Sequence, residues 1–258
     1  MLVTYCTPAG SETKREIALD TGYDMDILKD YIIHEWYQFM KHCTLEKGDK
    51  LEEFSAYQYG MRNVVRACMA ADPPNWDPLS AVSPKAIVDI GGGFGQMLDS
   101  MNFGGSVREF VIEKYDIDRI GTSMADLTKN TRRTYITTLN YGQLLSSIEY
   151  LKDLEQPVCW LLANFLHNRN DVEIRKLMGQ IHRKGGYVCV VETNPKSALG
   201  YLLKPALMQR NSHPINLDID SLMWPFKGFK RLRKWDANRY YKAALYVPYK
   251  RANQATSR

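Results

Sequence analysis

Residues 88–95 read Val-Asp-Ile-Gly-Gly-Gly-Phe-Gly, an apolar run that contains one acid and leads into a cluster of glycines. The apolar run predicts a buried strand. The glycines predict a tight loop, because glycine accepts positive φ and lets a ligand approach the backbone closely. A helix is expected to begin near Gln96, so that its free N–H groups and positive dipole end face the loop. The stretch therefore predicts a nucleotide-type pocket at the carboxyl end of a parallel strand.

The spacing of the glycines narrows the class of ligand. A dinucleotide-binding loop has the pattern G-x-G-x-x-G, which would require a glycine where this chain has Gln96. The pattern acid-x-G-x-G-x-G does fit, with Asp89, Gly91, Gly93 and Gly95. This pattern is similar to the first motif of class I methyltransferases, which bind S-adenosylmethionine (SAM). A glycine-rich turn in another kind of α/β protein is the alternative interpretation.

Composition sets further bounds on the function. The chain has 258 residues, 45% of them hydrophobic, and a net charge of +5, which permits an anionic partner without requiring one. Its five cysteines include no C-x-x-C pair, so neither a zinc site nor a disulfide framework is indicated, and a reducing, cytoplasmic location is expected. Neither a signal peptide nor an apolar run of about 18 residues is recognisable, so no membrane span is expected.

A proline-broken connector at residues 72–85 divides the chain into two regions. Before it, apolar residues recur with helical spacing over residues 25–43 and 51–68, and no hairpin is recognisable. We therefore expect residues 1–80 to form a helical cap or substrate lid. Residues 81–258 are expected to form the SAM-binding domain.

Apolar runs alternate with helical patterns after the connector. This alternation predicts an α/β fold with a doubly wound, mostly parallel seven-stranded sheet, Rossmann-like in type, that carries helices on both faces. Nearly continuous apolar strands agree with a sheet that is covered on both sides. The predicted strands are 86–90, 109–113, 134–139, 158–163, 187–192, 228–232 and 243–247, and a helix is predicted over 171–182.

Several strand ends carry candidate contacts to a nucleoside. Strand two ends in Glu113, whose carboxylate can accept hydrogen bonds from both ribose hydroxyls, although a helix-capping acid is the alternative. Asn140 and Tyr141 follow strand three, where such folds usually meet the adenine edge; a turn-forming Asn is equally possible. Ala163 and Asn164, at the end of strand four, are further candidates for cofactor binding.

A second motif follows strand four. It consists of Leu166-His167-Asn168, a helix, the pair Gly185-Gly186, and a strand ending in Glu192. Together with the glycine loop it makes residues 86–195 resemble the small-molecule O-methyltransferase family. The resemblance implies SAM as cofactor, a small-molecule acceptor, and a homodimer as a possible assembly. It also implies that His167 is a general base and that Glu192 orients its imidazole.

The chain departs from the family pattern at two places. Asn168-Arg169 stand where the family has Asp-Trp, and Lys230 stands where a second acid is usual. A structural histidine that caps the next helix is therefore the alternative for His167. Two other functions stay open. One is a lyase or cyclase of the same fold that uses SAM as its only substrate and releases methylthioadenosine; the other is RNA or cap methylation.

A basic run near the carboxyl end bears on the second of these alternatives. Aromatic residues lie between its cations, so the run resembles a weak nucleic-acid surface. A solvated strand edge is the simpler interpretation, and one of these cations is also a candidate partner for a substrate carboxylate. We therefore regard nucleic acid as an improbable but open partner. The cations are Lys227, Lys230, Arg231, Arg233 and Lys234, and the aromatic residues are Trp224, Phe226 and Phe229.

Overall fold

The structure is a computed structural model, and it describes the backbone of residues 2–6 and 12–16 together with 65, 68–93, 95–101, 103, 106–113, 133–138, 140–197 and 218–249. All statements below concern these residues. The helix predicted over 25–43 lies outside them, as does most of the helix predicted over 51–68. Residues 65 and 68–71, near the end of the second one, are helical.

Nine strands and five α-helices are defined in the described part. The strands are β1 (Leu2–Cys6), β2 (Glu12–Glu16), β3 (Ala86–Ile90), β4 (Arg108–Glu113), β5 (Arg133–Thr137), β6 (Val158–Ala163), β7 (Tyr187–Thr193), β8 (Phe229–Asp236) and β9 (Tyr241–Pro248). The helices are α1 (Asp77–Ser80), α2 (Gln96–Ser100), α3 (Tyr141–Tyr150), α4 (Asp171–Lys184) and α5 (Ile219–Met223), and a 3₁₀ turn spans Leu166–Asn168.

Seven of the strands form one sheet in the order β5-β4-β3-β6-β7-β9-β8. The five strands from β5 to β7 are parallel, β9 runs antiparallel to β7, and β8 runs antiparallel to β9. The predicted doubly wound, mostly parallel seven-stranded sheet is confirmed. From β3 the chain first builds the sheet outward through β4 and β5, and then returns to the other side of β3 with β6. Open α/β sheets bind ligands at such a reversal point, which here lies between β3 and β6.

Strand bounds follow the prediction closely in the buried part and less well at the edges. β3 and β6 have the predicted bounds, whereas β5 ends at Thr137 rather than at residue 139. β8 runs on to Asp236, beyond the predicted 228–232. Most side chains of this edge strand are exposed and charged, so its sequence carries little strand pattern. Its pairing with the apolar β9 determines its length.

The sheet separates two hydrophobic clusters, because alternate residues of a strand point to opposite faces. The first face packs against α2 and against Val65, Cys68, Trp76 and Leu79, and the second packs against α3, α4 and α5. On β3, Ile87 faces the first cluster, whereas Val88 and Ile90 face the second. Asp89 therefore lies on the first face. The same alternation places Glu113 of β4 on that face, since Ile112 belongs to the second cluster.

One feature near the amino terminus was not predicted. β1 and β2 pair antiparallel, in a register that runs from Leu2 opposite Glu16 to Cys6 opposite Glu12. The sequence analysis recognised no hairpin there, which is wrong. The reason is that β2 reads Glu-Thr-Lys-Arg-Glu and shows no apolar alternation. The helical cap over residues 1–80 stays a prediction.

The cysteines whose side chains the structure describes are Cys68, Cys159 and Cys189, and all three are free and buried. Burial raises the pKa of the Cys189 thiol to about 12, so this group is a neutral part of the core. The part of the chain that the structure describes contains no cluster of three or more metal-ligating side chains. No described helix has the length and apolar character needed to cross a membrane.

Candidate functional site

The glycine loop joins β3 to α2. Gly91, Gly93 and Gly95 have φ values of 71°, 56° and 77°, a region that side-chain-bearing residues rarely adopt. The Gly91 N–H donates to the carbonyl of Ile112 at 2.7 Å, which anchors the loop to β4. α2 begins at Gln96, as predicted. The positive φ values give a conformational reason for the glycines of the motif.

The space that a Cβ would occupy on these glycines is filled by the protein itself. A Cβ on Gly91 would lie 2.3 Å from the Phe165 ring, and one on Gly92 would lie 2.4 Å from the Asp89 carboxyl group. A Cβ on Gly95 would lie 2.5 Å from the Arg133 guanidinium. The sequence analysis explained the glycines by the approach of a ligand. Close packing of the chain's own side chains is a second reason, which the sequence did not reveal.

Glu113 holds the loop from the neighbouring strand. Its Oε2 accepts a 2.8 Å hydrogen bond from the backbone N–H of Gly93, and its side chain is buried. A carboxylate that accepts from a backbone N–H fixes the position of that peptide unit. The contact of Glu113 with ribose stays a prediction, but the residue lies beside the loop, as that prediction requires.

Acidic groups outnumber cations beneath the loop. Arg133 donates to Asp99 at 2.9 Å and to Glu109 at 2.8 Å, and its side chain is only 3% exposed. Asp89 is fully buried, and neither of its carboxylate oxygens has a hydrogen-bond partner. Burial raises the pKa of Asp89 to about 8; Arg133 opposes this rise, while Glu113 and the other acids add to it. No local pattern indicated Arg133, which lies at the start of β5, far along the chain from the loop.

Asn140 and Tyr141 both have structural contacts at the start of α3. Asn140 Oδ1 accepts from the Gln143 N–H at 3.0 Å and so caps the helix. The Tyr141 hydroxyl donates to the carbonyl of Glu173 on α4, and burial raises the pKa of that phenol. The turn-forming role that the sequence left open for Asn140 is therefore present. Contact of either residue with adenine stays a prediction.

Asn164 joins the ends of β6 and β7, directly after Ala163. It has a positive φ of 50°, which Asn tolerates better than most residues. Its Oδ1 accepts from the Thr193 N–H at 3.0 Å and from the Thr193 hydroxyl at 2.9 Å. These bonds fix the two strand ends relative to each other. The roles of Ala163 and Asn164 in cofactor binding stay predictions.

The two predicted catalytic residues lie in contact just beyond these strand ends. His167 Nδ1 lies 2.6 Å from Glu192 Oε2, and both residues are 7% exposed. The other carboxylate oxygen of Glu192, Oε1, is buried and has no hydrogen-bond partner. His167 belongs to the 3₁₀ turn after β6, and Glu192 lies near the end of β7. Tertiary structure thus joins residues that are 25 apart in sequence.

The alternative role of His167 as a helix cap is filled by another residue. Asn170 Oδ1 accepts from the N–H groups of Val172 and Glu173, and the Glu173 carboxylate accepts from the Asn170 N–H. This capping box satisfies the first turn of α4. His167 precedes the cap, so its side chain is not needed there.

The His167–Glu192 pair has the geometry of a base and its orienting acid. With Nδ1–H donating to the carboxylate, the lone pair is on Nε2, where the imidazole can take up a proton. The carboxylate would then stabilise the imidazolium that forms. Burial strengthens both effects, because the local dielectric constant is low.

The basic run does not form one continuous cationic surface. On β8, Arg231 pairs with Asp220 of α5, and Lys234 pairs with Asp218 and Asp220. A bulge between Arg231 and Arg233 interrupts the register. Bulges and charges are common devices that protect an edge strand. The solvated strand edge is therefore the interpretation that the described contacts favour.

Comparison with known proteins identifies the fold. No protein-family model matches the chain, and no curated protein matches it in sequence. Among solved structures, it is similar to the O-methyltransferase NcsB1 from neocarzinostatin biosynthesis, in complex with S-adenosyl-L-homocysteine and 1,4-dihydroxy-2-naphthoic acid. This match has a TM-score of 0.58 and 12% identity, and covers 96% of this chain and 81% of NcsB1.

Two other solved structures show the range of this fold. The pyocyanin biosynthetic protein PhzM matches with a TM-score of 0.54 and 14% identity over 83% of this chain; the chain spans only 62% of the length of PhzM. The N,N-8-amino-8-demethyl-D-riboflavin dimethyltransferase RosA from Streptomyces davawensis matches with a TM-score of 0.50 and 13% identity, over 96% of this chain and 81% of RosA. At such identities the likeness shows the fold alone.

Proposed function

From the class I methyltransferase fold of this chain, we propose that it binds SAM at the glycine loop and transfers its methyl group to an oxygen of a small-molecule acceptor. The observation that carries the proposal is the buried His167–Glu192 pair, with its 2.6 Å contact. His167 follows β6, and Glu192 lies near the carboxyl end of β7. The glycine loop follows β3, on the other side of the point where the sheet reverses its winding. The proposal takes His167 as the base and the glycine loop as the SAM site, at the carboxyl ends of neighbouring strands of one sheet.

The residues of the loop fit SAM in shape and charge. Glycine at positions 91, 93 and 95, each with a positive φ, leaves the loop without side chains of its own that a bound nucleoside would have to avoid. Glu113, Glu109 and Asp99 outnumber the one described cation among them, Arg133, which suits a sulfonium cation, whereas Asp89 is neutral below about pH 8. Glu113 would bind ribose, Asn140 and Tyr141 would border the adenine, and Ala163 and Asn164 would line the site at β6.

His167 and Glu192 would supply the proton chemistry. When bound, SAM supplies an electrophilic methyl group. An acceptor hydroxyl must lose its proton as it is methylated, and Nε2 of His167 would take that proton. Glu192 would hold the imidazole in the correct tautomer and stabilise its positive charge. General-base assistance of this kind is worth roughly 10²–10⁴ in rate.

A general base at His167 favours oxygen over nitrogen as the acceptor atom, because a hydroxyl gains more from proton removal than an amine does. A neutral amine attacks through a lone pair that is already free, so it needs no base before transfer. A hydroxyl is a much weaker nucleophile and benefits from proton removal. RosA acts on an amino group within the same fold, so the fold by itself does not select oxygen.

The two alternatives find less support in the described residues. A lyase or cyclase that uses SAM alone has no acceptor to deprotonate, so a buried base with its own orienting acid would be unexplained. An RNA methyltransferase would need an accessible basic surface, but Arg231 and Lys234 are paired with acids. The nucleoside product formed from SAM, and the acceptor that its formation requires, distinguish both alternatives from methylation of a small molecule.

The test begins with binding and then identifies the nucleoside product. Calorimetry with SAM and with S-adenosylhomocysteine (SAH) measures binding to the full chain. SAM is then incubated with the protein alone, with a panel of phenols and hydroxy acids, and with RNA. SAH that forms only in the presence of a small acceptor is the expected result. Methylthioadenosine formed without an acceptor would establish the lyase instead, and the absence of any SAM or SAH binding would reject the proposal.

A further inference from the structure

Arg169 has an unusual environment for a charged residue. Its guanidinium carbon lies 4.5 Å from the centroid of the Phe165 ring and 5.4 Å from that of the Tyr141 ring. Its Nε is buried and has no hydrogen-bond partner. No ion pair to Arg169 occurs within the described ranges. A buried N–H donor without an acceptor is destabilising, so its retention calls for an explanation.

The surroundings of Arg169 connect it to the site. Phe165, on which the guanidinium stacks, is the residue whose ring lies against Gly91 of the loop. Arg169 is therefore separated from the loop backbone by a single aromatic ring. It also follows His167 by two residues, directly after the 3₁₀ turn. The cation thus lies close to both the loop and the proposed base.

We propose that Arg169 is a specificity-determining residue that binds a carboxylate of the acceptor, so that the preferred substrates are hydroxy acids rather than neutral phenols. This inference rests on the proposed function and adds a substrate class to it. A guanidinium presents parallel N–H donors that match a carboxylate in a bidentate manner. Stacking on Phe165 and Tyr141 would hold its plane in a fixed orientation, which reduces the entropy lost on binding.

Other cations of the described part are poorer candidates for this role. The sequence analysis considered the run from Lys227 to Lys234, but Arg231 and Lys234 are neutralised by Asp220 and Asp218. Arg133 is engaged by Asp99 and Glu109. Arg169, in contrast, has one face on an aromatic ring of the site and no acid as partner.

The test uses protein saturated with SAH and two probes that differ in one group. Calorimetry compares 3-hydroxy-2-naphthoate with 2-naphthol, which has the same ring and hydroxyl but lacks the carboxylate. The wild type is expected to bind the acid at least about tenfold more tightly, as expected for a charge-assisted pair. Arg169→Met should abolish this preference and leave the affinities for 2-naphthol and SAH unchanged within about twofold. Arg169→Lys keeps the positive charge but loses the paired N–H donors of the guanidinium, so it should retain part of the preference for the acid.

Arg175→Met is the matched control, because Arg175 is an exposed arginine on α4, just past the same turn. It should behave as wild type. The proposal is overturned if the wild type does not prefer the acid, if neither probe binds, or if Arg169→Met weakens both probes equally. Failure of SAH to bind would instead reject the proposed function, and this inference with it. Circular dichroism of each variant confirms that the fold is retained.

Discussion

Glu113 Oε2 accepts a 2.8 Å hydrogen bond from the backbone N–H of Gly93, so the end of β4 holds the loop that follows β3. The two residues are 20 apart in sequence. A residue expected to bind a ribose therefore also shapes the loop that would bind the rest of the nucleoside. Substitutions of Glu113 can separate these two roles, because an amide keeps the hydrogen-bond acceptor and loses the charge.

Glu113→Gln is expected to weaken SAM binding by about tenfold or more while the free energy of unfolding changes little. Its amide oxygen can still accept from Gly93, but an amide is a poorer bidentate acceptor for two hydroxyls. Glu113→Ala should weaken SAM binding further and also lower the free energy of unfolding by about 1–3 kcal/mol, because the Gly93 N–H loses its acceptor. Calorimetry and urea titration measure the two effects. Equal SAM affinity of wild type and Glu113→Gln would remove Glu113 from the ribose site.

Gly91→Ala is expected to destabilise the protein through two separate effects. A φ of 71° costs roughly 1–2 kcal/mol for a residue with a Cβ. The new Cβ would also lie 2.3 Å from the Phe165 ring, and overpacking of this kind costs about 1–3 kcal/mol. Gly185→Ala tests the backbone cost without a clash at another positive-φ glycine, because Gly185 has a φ of 75° and a ψ of −171° but nothing within 4 Å of its added Cβ. It should show the backbone cost alone.

Phe165→Ala, combined with Gly91→Ala, tests the contact itself. If the methyl group and the ring clash, the double variant is less destabilised than the sum of the two single variants, by about 1–3 kcal/mol. Urea titration of the four proteins completes the cycle. Strict additivity would mean that the loop moves away from Phe165 without cost.

Asp89 is expected to make stability depend on pH in the direction opposite to most carboxylates. Its pKa is raised by burial to about 8 from an ordinary 3.8, so between these values the folded state binds a proton that the unfolded state releases. The stabilisation is complete below about pH 4 and is lost as the pH rises toward 8. The slope is at most about 1.4 kcal/mol per pH unit.

Asp89→Asn isolates this effect, because the amide has a similar size and does not titrate. Urea titration from pH 4.5 to 8.5 measures the free energy of unfolding of both proteins. The value for the wild type should fall steadily relative to that of the variant as the pH rises. Groups elsewhere in the chain contribute equally to both proteins. A difference that is independent of pH would show that Asp89 is already ionised in the folded state.

His167→Ala is expected to lower the turnover number with a hydroxyl acceptor by roughly 10²–10⁴, with SAM affinity unchanged within about twofold. Glu192→Gln should cause a smaller loss, because an amide can orient the imidazole but does not stabilise its positive charge. His182→Ala is the control: His182 packs against Phe226 and Phe229 near the far end of α4. Single-turnover kinetics measure the chemical step. Full turnover by His167→Ala would leave His167 a structural residue.

Local patterns in the sequence predicted the central part of the fold well. β3 and β6 are nearly continuous apolar runs, which are typical of buried strands, so their bounds were found from the sequence. The edge strand β8 was predicted too short, because an exposed strand needs no apolar alternation and is defined by its pairing with β9. β2 was missed because its sequence, Glu-Thr-Lys-Arg-Glu, shows no apolar alternation.

The sequence by itself determined the glycine loop and the seven strands of the main sheet, since these are written in local spacing. Its resemblance to the O-methyltransferase family supplied the candidate pair His167 and Glu192. Only the tertiary structure decided what these residues touch. It placed Phe165 against Gly91, joined Arg133 to Asp99 and Glu109, and left Asp89 buried without a hydrogen-bond partner. Such contacts depend on which strands become neighbours. They join residues that are distant along the chain, and no local pattern records them.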